Sequence, residues 1–195
     1  MSLDDLSRPP LAVGLAGSPG PGPSRSHVLL DRALERLDRA GFVTRRIELS
    51  RLPADALLGR ARDAAVDAAI AQVSQAHVVL AATPVYRASY SGLLKVFFDL
   101  LPTDALEGRV AIPIATGGSL AHQLMLDHAL RPLLASVGAR VVSTGVYGTQ
   151  TQFTDGRPDP ALELRLARAV DEAVALAQFP AVSDPITPHA SEVTR

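Results

Sequence analysis

The run Leu11–His27, LAVGLAGSPGPGPSRSH, constrains this chain more than any other segment. It opens with an apolar stretch, as a strand buried on both faces of a parallel sheet requires. The stretch ends at a glycine turn, which lets the backbone come close to a ligand. Serines and an arginine then stand where a helix begins. A strand, a glycine turn and a helix start together aim free N–H groups and the positive helix end at an anion. Ser18, Ser24 and Ser26 add hydroxyls and Arg25 adds charge. The first crossover of an α/β sheet is thus laid out as a phosphate cradle.

The rest of the chain keeps to that course. Residues 1–9 read as a flexible lead, 10–178 as one domain and 179–195 as a disordered tail rich in proline and small polar residues. Strands are expected at Leu11–Ala16, Phe42–Leu49, His77–Ala82, Arg109–Ala115 and Ala139–Val146. Helices are expected at Ser24–Ala40, Arg60–Gln75, Ser89–Leu101, Ser119 to about Val137, and Pro160–Gln178. Gly41 sits where a helix C-terminus calls for glycine. Residues Tyr147–Pro158 read as a loop. Such alternation gives a five-stranded parallel sheet with helices on both faces. Ligands of these sheets lie at the carboxyl ends of the strands, near the switch in strand order. Loops 17–26, 83–91 and 116–119 fall there. Pro113 lies within a strand that should be central, where it lacks a ladder donor. A bulge or an unpaired position is expected at that point.

Composition narrows the function. The net charge of −1 leaves no electrostatic footprint for nucleic acid or an anionic membrane. No cysteine is present, which removes thiol catalysis and thiolate metal sites. The five histidines show no ligand spacing, so no metal site is expected. The acidic start MSLDDLSRPP is no secretory signal and no apolar run spans a bilayer, so a cytoplasmic protein is expected.

The glycines of the first loop do not form the G-x-G-x-x-G of a dinucleotide fold. The single lysine, Lys95, lies far from that loop, so the G-K-[ST] of nucleoside triphosphatases is missing too. A serine-rich loop in a five-stranded fold suits one phosphate monoester.

Three segments make the likeness specific: AGSP…PSRS (16–26), ATPVYRASYSGLLKVFFDLLP (82–102) and LEGRVAIPIATGGSLAHQLMLDHALRPLL (106–134). In order and spacing the chain resembles the NAD(P)H-dependent FMN reductases of the flavodoxin-like superfamily, over about Leu11–Gln178. The likeness is closest to the alkanesulfonate-utilisation type, the reductase half of two-component monooxygenases. The resemblance implies a flavodoxin-like sheet of order 2-1-3-4-5. It implies FMN and NADPH (or NADH) as cofactors and hydride transfer from nicotinamide to flavin N5. It also implies a flavin-dependent monooxygenase as transient partner and a homo-oligomer, dimer or tetramer.

Position by position, the resemblance assigns Ser18, Ser24, Arg25 and Ser26 to the FMN phosphate. Pro84, Val85 and Tyr86 run past the isoalloxazine and ribityl chain, and Thr116, Gly117, Gly118 and Ser119 contact the ring through backbone groups. No side chain is assigned as acid, base or nucleophile, because the flavin carries the chemistry. Gly20 stands where the family often has arginine directly after Ser-Pro, which implies modest FMN affinity.

Arg87 lies in the loop over the nicotinamide site, where a weak contact to the NADPH phosphate competes with the plain reading of a solvated arginine. The helix with Leu93, Leu94, Val96, Phe97, Phe98, Leu100 and Leu101 is apolar nearly all round, which points to a subunit interface. Pro132 cannot donate to the carbonyl of His128, so a kink or one wide turn is expected there. Several two-component members carry a π-helical insertion in this helix at a tetramer interface, and by that likeness His128 would tune oligomerisation and flavin release. Two rival readings use the same loops: an enzyme that keeps FMN bound and reduces quinones, azo dyes or metal ions, and a flavodoxin-style electron carrier.

Overall fold

A computed structural model of the chain describes residues 9–20, 22 and 24–178. The lead to residue 8 and the tail 179–195, read above as flexible, lie outside them. β1 (Leu11–Ala16) feeds α1 (Arg25–Arg39), and β2 (Val43–Glu48) follows. α1 ends at Ala40, and Gly41 takes a φ of +93°, a conformation that costs glycine little. The sheet order is β2-β1-β3-β4-β5, with β3 at Val78–Pro84, β4 at Val110–Gly117 and β5 at Arg140–Val141. Every pairing in this sheet is parallel. The fold is therefore the flavodoxin-like one expected from the sequence.

Alternate residues of each strand serve opposite cores. Val13, Leu15, Val79, Ala81 and Ala111 pack with α3 (Ala64–Gln75) and α4 (Gly92–Phe98). Ala12, Val78, Leu80, Val110, Ile112 and Ile114 pack with α1 and α6 (Pro160–Gln178). Burial on both faces is what lets these strands be apolar throughout.

Several expected boundaries move. A short α2 (Ala54–Leu57) was not foreseen, and α3 starts at Ala64 because Asp63 accepts from the Ala65 N–H (2.8 Å) as its N-cap. The helix expected from Ser89 starts at Gly92. Ser89 belongs instead to a tight hairpin with Tyr86, closed by mutual backbone hydrogen bonds of 2.9 and 3.0 Å. The long helix expected from Ser119 is three pieces: a 3₁₀ turn at Leu120–His122, a π-helix at Leu126–Leu130 and α5 at Arg131–Ala135. The Arg131 N–H reaches back five residues to the Leu126 carbonyl. Pro132 then falls in the first turn of α5, where a missing donor costs least.

The fifth strand is broken. β5 pairs with β4 at Val110 and Ala111, and β6 (Val146–Thr149) resumes from Ile114. The Val110 N–H donates toward β3, to His77 (3.0 Å), whereas the Ala111 carbonyl accepts from Val142 on the other side (3.0 Å). Alternation turns the Pro113 nitrogen toward the outer strand, where it meets the gap; this is the unpaired position its sequence demands. The region expected as a loop after Tyr147 adds a small antiparallel pair, β7 (Phe153–Thr154) and β8 (Arg157–Pro158).

Side chains satisfy the backbone left free at the gap. Arg131 donates to the carbonyls of Val142 and Ser143 (2.5 and 2.6 Å), and Arg165 to that of Gly145 (2.6 Å). The Glu172 carboxylate accepts from the N–H groups of Ser143 and Thr144 (2.5 and 2.9 Å). Burial alone would raise the Glu172 pKa, but the hydrogen bonds from Ser143 and Thr144 together hold it below its ordinary 4.5. A depressed folded pKa adds stability above the ordinary value, lost as pH falls through the folded one. Glu172→Gln is therefore expected to be less stable than the parent at pH 7 and to lose less on acidification below 4.5, as read by denaturant unfolding at each pH.

Candidate functional site

Three loops meet at the carboxyl ends of β1, β3 and β4. Gly17 leaves β1 with its N–H on the Ala82 carbonyl (2.8 Å). The Ser91 hydroxyl donates to the Gly17 carbonyl (2.5 Å) and accepts from the Leu94 N–H (3.1 Å), so it caps α4 and clasps the first loop together. The Ser91 N–H donates to Thr83 Oγ1 (2.9 Å), whose hydroxyl donates on to the Pro84 carbonyl (2.9 Å). Ser91 and Thr83 are fully buried. The Val85 N–H then donates to the Thr116 carbonyl (2.8 Å), tying the second loop to the third. Tyr147, on β6, closes the chain of ties by donating to the Ser119 carbonyl (2.7 Å). Burial pushes the Tyr147 phenol up, which keeps it a donor at any physiological pH.

These ties frame a cleft of about 430 Å³, lined by Ser18, Gly20, Gly22, Ser24, Arg25, Pro84, Val85, Tyr86, Thr116, Gly117 and Gly118. Nine of those eleven were singled out from sequence; Gly20 and Gly22 complete the lining. Ser26 stands behind it, fully buried, with its hydroxyl 2.9 Å from that of Ser24. Ser119 lies beside the cleft and its hydroxyl accepts from the Ala121 N–H (3.2 Å), an N-cap to the 3₁₀ turn. Arg87 projects from the hairpin tip outside the lining, and both it and Ala88 hold positive φ (51° and 61°). Such angles are costly for residues with a Cβ and cluster at binding sites. His128 lies apart, exposed, within the π-helix.

One end of the cleft has the donors to receive an anion. Ser24 is the N-cap of α1, yet its hydroxyl makes no capping bond, and no acid occupies the first helical turn. The N–H groups of His27 and Val28 are taken by the Ser24 carbonyl (2.9 and 3.1 Å), which leaves those of Arg25 and Ser26 for an anion. A Cβ placed on Gly20 or Gly22 would meet nothing within 4 Å, so the loop leaves open space there. At the other end Gly117 packs closely on its neighbours: a Cβ there would lie 3.5 Å from Val85 Cβ and collide with the Tyr147 hydroxyl.

Ser91, Thr83 and Tyr147 were not singled out from the sequence. Ser91 before Gly-Leu-Leu has the signature of an N-cap and could have been found so; Tyr147 carries no local signal.

The NADPH-dependent FMN reductase family model matches residues 10–154. An FMN reductase (NADPH) of Escherichia coli K12 is 39% identical over 163 residues, 83% of this chain and 85% of its own length. An NADH-dependent FMN reductase, SfnF, of Pseudomonas fluorescens Pf0-1 is 38% identical over 176 residues, 88% of this chain and 94% of its own. Among solved structures, an apo NADH:FMN oxidoreductase (EMOB) superposes with a TM-score of 0.78 at 37% identity, covering 90% of this chain and 91% of that one. Loop geometry, family model and relatives agree: the chain belongs to the NADPH-dependent FMN reductase family, flavin reductases that use FMN and NAD(P)H.

Proposed function

We propose that this flavin reductase uses FMN as an exchangeable substrate and hands reduced FMN to a separate flavin-dependent monooxygenase, one that desulfonates alkanesulfonates. The observation that carries this reading is the phosphate end of the cleft. It relies on two backbone N–H groups, serine hydroxyls and one exposed cation, Arg25, with Gly20 directly after Ser18-Pro19. Such a grip orients a mononucleotide and releases it again. Ser18, Ser24, Arg25 and Ser26 hold the phosphate; Pro84, Val85 and Tyr86 flank the ribityl chain and ring; Thr116, Gly117, Gly118 and Ser119 offer backbone groups to the ring edge. FMN in this cleft supplies the hydride acceptor, at N5, for the nicotinamide. The protein's own part is to align the two rings and exclude water, which needs no acid, base or nucleophile.

Steady-state NADPH and NADH oxidation against free FMN, FAD and riboflavin tests the reading. Saturable dependence on free FMN is the expected result. A protein that stays yellow through purification and turns over quinones without added FMN would establish the rival with resident flavin.

The protein is proposed to act in the cytoplasm as a dimer or tetramer. Leu120 and Leu124 are exposed beside the π-helix, and Leu93 and Val96 are only half-buried on α4. These faces support an oligomer that includes His128 at its contact, and Arg87 is proposed to approach the NADPH phosphate from the hairpin. Deleting His128 removes the extra residue of the wide turn, and the expected result is a tightly held flavin. Unchanged flavin release in stopped-flow would refute that role.

A further inference from the structure

A second cleft, of about 360 Å³, lies across the first loop from the flavin cleft. Gly20 and Gly22 line both, so the same loop backbone forms the wall between them. The far wall is the end of β2 and the 3₁₀ turn after it, contributing Glu48, Ser50 and Arg51. The remaining lining includes His27, which is only 8% exposed and whose Nε2 is buried without a hydrogen-bond partner among the described residues. A buried imidazole nitrogen left unpaired is costly unless a ligand meets it. Arg51 is exposed and makes no ion pair among the described residues. Glu48 is matched by Arg46, which also pairs with Asp31 (3.1 Å), so the guanidinium of Arg51 is left as uncommitted charge.

We infer that this cleft takes the 2′-phosphorylated ribose of the adenylate half of NADPH. This rests on the flavin lying in the neighbouring cleft. By analogy, in Rossmann dinucleotide folds a carboxylate beyond the first crossover accepts ribose hydroxyls, and an arginine nearby accommodates a 2′-phosphate. Glu48 and Arg51 offer the same two groups across the first loop of this sheet: Glu48 pairs in register with Ala16, the last residue of β1. Neighbouring strands are about 4.8 Å apart, so the end of β2 lies roughly 12 Å from the β3–β4 edge where the flavin ring sits. A dinucleotide with its nicotinamide on that ring spans this distance. Arg51 and Glu48 then set coenzyme choice in opposite directions. The guanidinium favours the 2′-phosphate, and the carboxylate favours the free diol of NADH.

The test is calorimetric titration of the purified protein with adenosine 2′,5′-bisphosphate and with adenosine 5′-phosphate, together with KM for NADPH and NADH. The parent is expected to bind the bisphosphate about tenfold more tightly or better. Arg51→Ala should abolish that advantage and raise KM for NADPH about tenfold, with KM for NADH and for FMN within twofold of the parent. Arg51→Lys should fall between them, and Glu48→Gln should move the NADPH-to-NADH ratio the opposite way. Equal affinity of the parent for the two nucleotides would overturn the inference, as would an Arg51→Ala protein that keeps its preference. Loss of NADH-driven FMN turnover in Arg51→Ala would overturn it too, by placing Arg51 in the flavin's service. If FMN proves not to exchange, the bisphosphate titration still decides this cleft by itself.

Discussion

Ser91→Ala is expected to destabilise the protein by about 2–4 kcal/mol and to raise KM for FMN far more than it lowers kcat. The stability loss has two parts. Removing the N-cap oxygen of α4 costs about 1 kcal/mol. The Gly17 carbonyl, which accepts the Ser91 hydroxyl at 2.5 Å in a fully buried setting, is left without that donor. An orphaned buried acceptor costs about 1–3 kcal/mol. The kinetic effect follows from what the hydroxyl joins. Gly17 begins the proposed phosphate loop, and Ser91 reaches the segment proposed to flank the ring through Thr83. Without the clasp the two halves of the flavin cleft lose their fixed spacing, which weakens ground-state binding. Thr83→Val separates the effects, because it breaks the tie of Ser91 to the Pro84–Tyr86 segment and leaves both the cap and the Gly17 clasp. It should raise KM for FMN with a smaller stability loss. Denaturant unfolding and steady-state kinetics on both variants check the pair.

Gly117→Ala should be the most damaging single methyl group in the site. The added Cβ would collide with the Tyr147 hydroxyl and lie 3.1 Å from its Cζ. Tyr147 is nearly fully buried and holds the Ser119 carbonyl, so it has no free direction to yield. Overpacking of this kind costs about 1–3 kcal/mol. The third loop would shift with it, and with that loop the backbone groups assigned to the flavin ring. The expected result is a fall in kcat/KM for FMN of about tenfold or more, at about 1.4 kcal/mol per tenfold. Tyr147→Phe removes the colliding oxygen, so the double variant should recover part of the lost stability despite leaving the Ser119 carbonyl unpaired. Additive losses in the double-mutant cycle would show that the two side chains do not meet as described.

What could be read from the sequence was local. The first crossover loop, the alternation of strands and helices and the start of α1 are each encoded within about twenty residues, and they appear where the pattern places them. Pro113 and Pro132 were legible for the same reason, since a missing N–H is a property of the residue itself; one marks the broken fifth strand and the other follows the π-helix. The helix expected from Ser119 was overextended because apolar residues such as Leu120, Leu124, Met125, Leu126, Leu130 and Leu134 keep a helical spacing through three different helical geometries. The helix expected from Ser89 began too early because the Tyr86–Ser89 hairpin has none of the Asn-Gly chemistry that usually announces such a turn. The ties that give the cleft its shape were illegible. Ser91 meets Gly17 across 74 positions and Tyr147 meets Ser119 across 28, and neither partner carries a local mark of the other. The repair of the gap by Arg131, Arg165 and Glu172 was hidden in the same way.

The uncapped start of α1, the Ser24–Ser26 hydroxyl pair and Arg25 form the proposed site for one phosphate. Titrating flavin-free protein with FMN and with riboflavin, followed by quenching of flavin fluorescence, isolates that phosphate. The predicted result is FMN bound at least about tenfold more tightly than riboflavin, with Arg25→Ala erasing most of the difference. Equal affinity for the two flavins would contradict the assignment of this loop.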